Sequence, residues 1–563
     1  MKEIITGAEA LMRSLMHEGV DTIFGYPGGS IMPVFDAMYD HTQNFRQVLV
    51  RHEQGAAHAA QGYARSSGKV GVCIVTSGPG ATNTLTGISD AILDSTPIVV
   101  IAGQVASNVL GTDAFQEIDL VGVTQPISKW SYQIRRAEDI AWAVARAFYI
   151  ARTGRPGPVV LDFTKNAQVS QVAYEPAQVD KIRSYVPYPK PDFEAIKAAA
   201  ELISRAQRPF ALVGQGVELG DAHEELKAFL EKGNIPAART LMGLSALPTD
   251  YYLTMGMLGM HGNLSCNANT NQADVIIAIG MRFSDRVTGD LTTYAKQAKI
   301  IHLDIDRAEI DKCVKADIPV IGDCKETLPL ITELMQEGNH KEWIDSFADY
   351  DAIEKERVID KALNPKEGPL KMGEVARKVS DVTNNSAILV TDVGQNQMMA
   401  CRYFKNTKPH SVLTSGGLGT MGYGLPASIG ASIAVPDRTV CVFMGDGGFQ
   451  MNIQELGTIM EQRLPVKMIL MNNNYLGNVR QWQEMFFNRR YSCTPMLNPD
   501  YNMIASAYGI PSRLVVKREE LDEAVHEMIE TPGAFLLHVA VEEEDNVMPM
   551  IPPGASICDM VFE

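Results

Sequence analysis

The chain has 563 residues, of which 45% are hydrophobic and 21% charged, with a formal net charge of −17. That length gives room for about three or four domains, each with its own core, and the composition is that of a soluble globular protein. The acidic balance argues against nucleic-acid or anionic-membrane binding, because neither partner rewards a negative surface.

The opening residues, Met1-Lys2-Glu3-Ile4, read as the start of a helix, with no signal or transit pattern, and no later apolar run approaches bilayer length. From residue 1 to about 175, strand-like and helix-like segments alternate, the pattern of a parallel sheet covered by helices. Strands are expected at 20–24, 48–50, 70–75 and 97–102, with 159–163 closing the sheet. They run into Gly25–Ser30, Arg51–Ala57 and Thr76–Asn83, loops of Gly, Ser, Asn and Glu that gather ligand contacts along the carboxyl edge.

Residues 176–192 are rich in Pro and Tyr and read as a linker. A second α/β unit spans 192–336, with strands at 210–213, 275–279 and 300–305. Its Gly214-Gln215-Gly216 begins like a dinucleotide fingerprint but has Leu219 at the sixth position, so a plain tight turn explains it equally. Asp304 and Asp306 could accept from ribose hydroxyls or be solvated turn carboxylates. A polar stretch at 337–372 reads as a helical linker, and a third α/β unit spans 373–545. The C-terminal tail, 546–563, carries Ile551-Pro552-Pro553-Gly554-Ala555-Ser556, too apolar to hang free, and is expected over the active site. The eight cysteines show neither C-x-x-C pairs nor zinc-type spacing, and several sit inside apolar runs, which fits buried thiols in a reducing, cytoplasmic setting.

The third unit holds the most informative stretch. An apolar strand, Val440–Met444, stops at Gly445-Asp446-Gly447-Gly448; a second, Val466–Met471, stops at Asn472-Asn473-Asn474. A carboxylate and an amide at the ends of two parallel strands, 27 positions apart, can converge on one hard cation. Mg²⁺ takes an oxygen octahedron with one or two carboxylates and leaves other places to phosphate oxygens and water. Gly-Asp-Gly alone also occurs as a β-turn; with the paired Asn it resembles the thiamin diphosphate (ThDP) motif. That resemblance implies that Asp446, Asn473 and the carbonyl of Tyr475 hold Mg²⁺.

Further stretches across nearly the whole chain resemble one family, the catalytic subunit of acetohydroxyacid (acetolactate) synthase. They include FGYPGG (24–29), RHEQGA (51–56), SGPGATN (77–83), GTDAFQE (111–117), LGMHG (258–262), DRVTG (285–289), GTMGYG (419–424) and VRQWQ (479–483). The resemblance implies three doubly wound parallel-sheet domains, for pyrimidine, FAD and diphosphate, and homodimers or dimers of dimers with active sites between subunits. It also implies ThDP, Mg²⁺ and FAD as cofactors, and a small regulatory subunit in many members. The expected reaction decarboxylates pyruvate and joins the two-carbon unit to pyruvate or 2-ketobutyrate, the first common step toward branched-chain amino acids. The alternative is pyruvate oxidase or another ThDP-dependent 2-keto acid decarboxylase.

Residue by residue, the resemblance makes Glu53 the catalytic glutamate at the aminopyrimidine ring nitrogen. It places Val393, Gly394, Gln395, Asn396, Gly419, Met421, Gly447 and Gly448 against ThDP. Phe115, Gln116, Gly29 and Lys165 correspond to the first-substrate side and its channel, Arg286 to the carboxylate of the second 2-keto acid, and Trp482 to acceptor choice. Arg155, His261, Arg282, Asp304 and Asp323 correspond to FAD contacts, with FAD outside the redox chemistry. Read alone, Glu53 could be a helix N-terminal acid, Met421 a core methionine, Arg286 half of a surface ion pair and Trp482 an interface aromatic. The chain departs from the family pattern at Ala106, Ser284 and Asn478.

Overall fold

The computed structural model describes residues 3–563, leaving Met1 and Lys2 outside the described residues. The expected helical start is corrected: Glu3–Thr6 is a strand, paired antiparallel with Gln171–Tyr174. Ile4, Ile5 and Thr6 are β-branched and suit a strand once a partner exists. The helix begins at Gly7, where the Thr6 side chain accepts from the Glu9 N–H.

Three six-stranded sheets follow, every neighbouring pair parallel. In the first the order is Arg46–Leu49, Thr22–Gly25, Gly71–Val75, Ile98–Gln104, Val159–Thr164, Trp130–Ile134. Val159–Thr164 therefore does not close the sheet as expected; the half-buried Trp130–Ile134 forms that edge. Numbered along the chain within the sheet, the order is 2-1-3-4-6-5. The third sheet, built from Ile388–Thr391, Val412–Leu413, Val440–Gly445, Lys467–Asn472, Ser512–Val515 and Phe535–Ala540, has that same order. The central sheet, from Pro209–Val213 to Ile318–Ile321, has the order 3-2-1-4-5-6 of dinucleotide-binding folds.

In each sheet the order reverses at the first strand, and two loops diverge there to leave a crevice at the carboxyl edge. The crevices lie between Gly25–Ser30 and Thr76–Asn83, between Gly214–Gly216 and Gly280–Arg282, and between Asp392–Asn396 and Asp446–Gly448.

The first and third domains meet through two helices, Glu53–Ser67 and Gly424–Ala434. A Cβ on Gly62 would lie 2.0 Å from the Ala427 carbonyl, and one on Gly430 1.9 Å from the Ala59 carbonyl. Only glycine permits this crossing. The 337–372 stretch is helical mainly between Lys341 and Leu363, and it is more than a linker. Trp343 and Phe347 are buried against Phe210 of the central sheet, and the fully buried Glu354 pairs with Arg402. The tail is packed: Ile551, Ile557 and Met560 join the core cluster of the central domain.

Candidate active site

In the third domain Gly445 ends a strand and Asp446 begins the helix Asp446–Met451. Asp446 is buried; its Oδ2 accepts from Asn498 Nδ2 at 2.7 Å. The same Asn498 amide reaches Asn472 and Asn474, at 3.0 and 3.2 Å, and so ties the two strand ends together. Asn473, also buried, donates to Gln395 Oε1 at 3.1 Å, and its Oδ1 accepts from the Tyr475 N–H at 3.3 Å. Across the crevice Asp392 accepts from the N–H groups of Val393, Gly422 and Gly424. A Cβ on Gly448 would fall 2.1 Å from Asp392 Oδ1, so the glycine is required for this closure.

Burial pushes the Asp446 carboxyl up to about 6 against the opposing Asn498 and main-chain hydrogen bonds. A cation at this carboxylate would offset the desolvation. Asn396 Oδ1 is buried without a hydrogen-bond partner beside it. One carboxylate with neutral amide and carbonyl oxygens is the hard donor set Mg²⁺ takes. The residues present thus fit a Mg-diphosphate. Met421 belongs to the same corner, since a Cβ on Gly447 would touch its Cε at 3.4 Å. Gly419 has φ +70 and opens onto the large cavity described below.

The first domain brings together the second group of expected residues. Glu53 opens the helix Glu53–Ser67, and its Oε2 accepts from Asn83 at 2.9 Å. The Gln116 backbone lies about 3.0 Å from where a Gly78 Cβ would be, and Lys165 Nζ donates to the Gly29 carbonyl at 2.8 Å. Phe115 is 88% exposed. Within one chain, then, Glu53 is held by Asn83 and Asp446 by Asn498.

Third-domain groups also bond the first-domain helix Leu85–Leu93 and the residue that caps it. Ser415 and Thr420 donate to the buried Asp90 of the first domain, and the Gly416 and Gly417 N–H groups to Asp94. Arg65 is the nearby cation, 3.8 Å from Asp94.

A cavity of about 1300 Å³ runs between the three domains. Arg155, His261, Arg282, Asp304 and Asp323 all line it, as do Arg286 and Trp482; neither Glu53 nor Asp446 does. Gly216 packs 2.5–2.6 Å from the Gly280 backbone when either is given a Cβ, so the tight-turn reading of Gly214-Gln215-Gly216 holds and the turn also forms the cavity wall. His261 Nδ1 is buried without a hydrogen-bond partner, and Arg402 donates to the His261 and Gly262 carbonyls at 2.6 and 2.9 Å. Burial holds Asp304 up to about 6. Arg155 already binds Ser95, Asp306 and Glu309. A dinucleotide-type strand order, a long cleft and unspent buried donors or acceptors fit FAD.

Arg286 lies 3.2 Å from Asp285, the surface pair anticipated, while also facing the cavity. Its carbonyl accepts from the Met260 N–H, and the Met260 carbonyl accepts from Ile551 of the tail. Trp482 sits on the helix Gly477–Phe486, edge-on to Phe486. A chain of hydrogen bonds leads back to the anchor: Asn473 to Gln395, then Gln395 Nε2 to Gln481 Oε1 at 3.1 Å. Ser284 and Asn478 line the cavity, and Ala106 precedes the short 3-10 turn Ser107–Val109.

Asn498, Asp90, Asp94 and Glu455, whose carboxylate accepts from the Arg51 and His52 N–H groups, do not stand out in sequence. Each works through contacts 24 to 404 positions away, and none lies in a spacing that a local motif would mark.

Three family models match the chain: "Thiamine pyrophosphate enzyme, N-terminal TPP binding domain" over residues 5–123, its central domain over 196–331, and its C-terminal TPP binding domain over 392–539. The chain is 42% identical to "Acetolactate synthase isozyme 2 large subunit" of Escherichia coli (strain K12), over 99% of each chain. It is 44% identical to "Probable acetolactate synthase large subunit" of Methanocaldococcus jannaschii, over 99% of this chain and 95% of that one. It is 43% identical to "Acetolactate synthase 2, chloroplastic" of Nicotiana tabacum, over 99% and 85%.

Proposed function

From the premise that this chain belongs to the acetolactate synthase large-subunit family of thiamine pyrophosphate enzymes, we propose the following division of work among its residues. The activity is that of a ThDP-dependent acetolactate synthase, with ThDP, Mg²⁺ and FAD as the family's cofactors. When bound, ThDP supplies the nucleophilic carbon that attacks a 2-keto acid and keeps two of its carbons after CO₂ leaves.

Asp446, Asn473 and the Tyr475 carbonyl would hold Mg²⁺, and Val393–Asn396, Gly419, Met421 and Gly447–Gly448 would shape the crevice around the coenzyme. Glu53 holds a proton at the pyrimidine ring nitrogen, the position from which a carboxyl can drive proton removal. Gly29, Phe115, Gln116 and Lys165 form the wall that excludes water from the first substrate. Arg286 binds the carboxylate of the second 2-keto acid as a planar two-point donor. Trp482 contacts that acid's side chain; one methylene there is worth ~1–3 kcal/mol. Arg155, His261, Arg282, Asp304 and Asp323 would hold FAD in the cleft they line, where it would have a structural part.

The observation that carries this reading is the pairing of Arg286 with Trp482 in one cavity. Neither Glu53 nor Asp446 lines the large cavity, and Phe115 is left exposed, which supports a second copy of the chain completing each site. We therefore assign a homodimer or dimer of dimers, with a smaller partner subunit supported by the relatives' name "large subunit". Among the described residues no helix is long and apolar enough to cross a membrane. All eight cysteines are unpaired, which supports a cytoplasmic, reducing setting.

The test is incubation of purified chain with pyruvate, with and without added ThDP, Mg²⁺ and FAD. Cofactor-dependent acetolactate is expected. Oxygen-dependent peroxide without acetolactate would favour the oxidase reading instead.

A further inference from the structure

Beside the wall of the large cavity, three metal-ligand side chains from two domains converge. Glu218 lies in the short helix Gly216–Leu219, His223 opens the helix His223–Gly233, and His410 precedes the third-domain strand Val412–Leu413. His223 Nε2 is 3.4 Å from Glu218 Oε1, and His410 Nδ1 is 3.2 Å from Glu218 Oε2. One ligand atom from each lies within 4.8 Å of the others.

Two of these atoms lack the partner that burial demands. Glu218 is 9% exposed and His223 5%, yet Glu218 Oε1 and His223 Nε2 have no hydrogen-bond partner. Left so, a buried polar atom destabilises the fold. On its far side His223 Nδ1 faces Asp221 Oδ1 at 3.5 Å. A carboxylate on that side favours a proton at Nδ1, and Nε2 is then free to bind a cation shared with the Glu218 oxygen, the arrangement common behind metal-bound imidazoles. Two lone pairs facing each other require a cation or proton between them.

The third ligand is held firmly. His410 has left-handed backbone, φ 51, and its N–H donates to Glu218 Oε2 at 3.0 Å. The next two N–H groups, of Ser411 and Val412, donate to Ser245 Oγ at 3.2 and 2.9 Å. The His410 side chain is 38% exposed, so water can enter and complete a fourth position.

We propose that Glu218, His223 and His410 form a binding site for a divalent d-block cation of the Zn²⁺ type, fastening the central domain to the third. Two imidazole nitrogens and a carboxylate with one open place suit tetrahedral Zn²⁺ or Co²⁺. Mg²⁺, which wants six oxygens, belongs at Asp446 instead. The site sits beside Gly216, Leu219 and Gly220, which line the large cavity. A metal here stiffens that wall without touching substrate.

The test uses the full chain, dialysed against chelator, refilled with excess Mg²⁺ and ThDP, then titrated with Co²⁺ alone. One equivalent per chain is expected, with the intense visible bands of tetrahedral Co²⁺, displaced by Zn²⁺ and lost in Glu218→Gln. His410→Asn provides a second variant, because the position is partly exposed and Asn accepts left-handed backbone; a far-UV spectrum checks its fold. Equal Co²⁺ binding by wild type and folded His410→Asn would overturn the site. So would weak octahedral absorption alone, which leaves a proton as the occupant.

Discussion

Glu455 Oε1 accepts the main-chain N–H groups of both Arg51 and His52, at 2.9 and 3.0 Å. A third-domain carboxylate thus fixes the turn from which Glu53 projects. Removing it leaves two donors without a partner at a domain contact. Glu455→Ala is expected to destabilise the chain by at least ~2 kcal/mol, read as a lower urea midpoint. Glu455→Gln keeps an acceptor and should lose much less; equal losses would show that the acceptor role is unimportant.

Glu53→Gln should lower turnover by about 10²–10⁴-fold, the usual worth of a positioned proton-transfer group. ThDP affinity, followed by protein fluorescence, should stay close to wild type. Unchanged turnover would remove Glu53 from the chemistry.

Asp446→Ala should lose Mg²⁺ and ThDP together, measured as bound cofactor after gel filtration. Mixing this variant with Glu53→Gln, each inactive alone, should restore activity. In a symmetric dimer, about a quarter of the sites would then receive both native residues. No recovery after subunit exchange would place both groups in one chain's site.

Trp482→Leu should shift product from 2-aceto-2-hydroxybutyrate toward acetolactate when both acceptors compete. The expected loss of preference is roughly 10-fold or more, given ~1–3 kcal/mol per methylene contact. A product ratio that does not move would take Trp482 out of the acceptor pocket.

Asp90 and Asp94 share the single cation of Arg65. Burial first, and then the Asp90 charge, lifts Asp94 to about 7, while burial lifts Asp90 the same way. With the folded value above the unfolded one, the native state binds more protons between the ordinary carboxylate range and about 7. The contribution of this pair to stability therefore falls as pH rises across that interval. Asp94→Asn should flatten the slope of unfolding midpoint against pH there, and an unchanged slope would exclude Asp94 as its source.

The short local signals carried far. The strand at Val440–Gly445, its Gly-Asp-Gly end and the Asn triplet are legible because the chemistry sits within a few consecutive residues. The central cleft was legible only through resemblance, as Gly214-Gln215-Gly216 alone could not be told from a turn. Trp130–Ile134 escaped notice because Ser131 and Gln133 break its apolar pattern, as an edge strand allows. Glu3–Thr6 misled because a four-residue segment takes its state from a partner 165 or more positions away. The common strand order of the outer sheets leaves no trace in residue identities, since topology is set by which apolar faces pair and not by which residues supply them.

That common order has a consequence for how the molecule can vary. Each outer sheet carries its own socket of kindred design, and the dimensions of one coenzyme set the spacing the pair must keep. The unit spliced between them meets neither constraint directly. It is free to change its cargo, its length or its fasteners, provided that its two ends still emerge where the sockets need them.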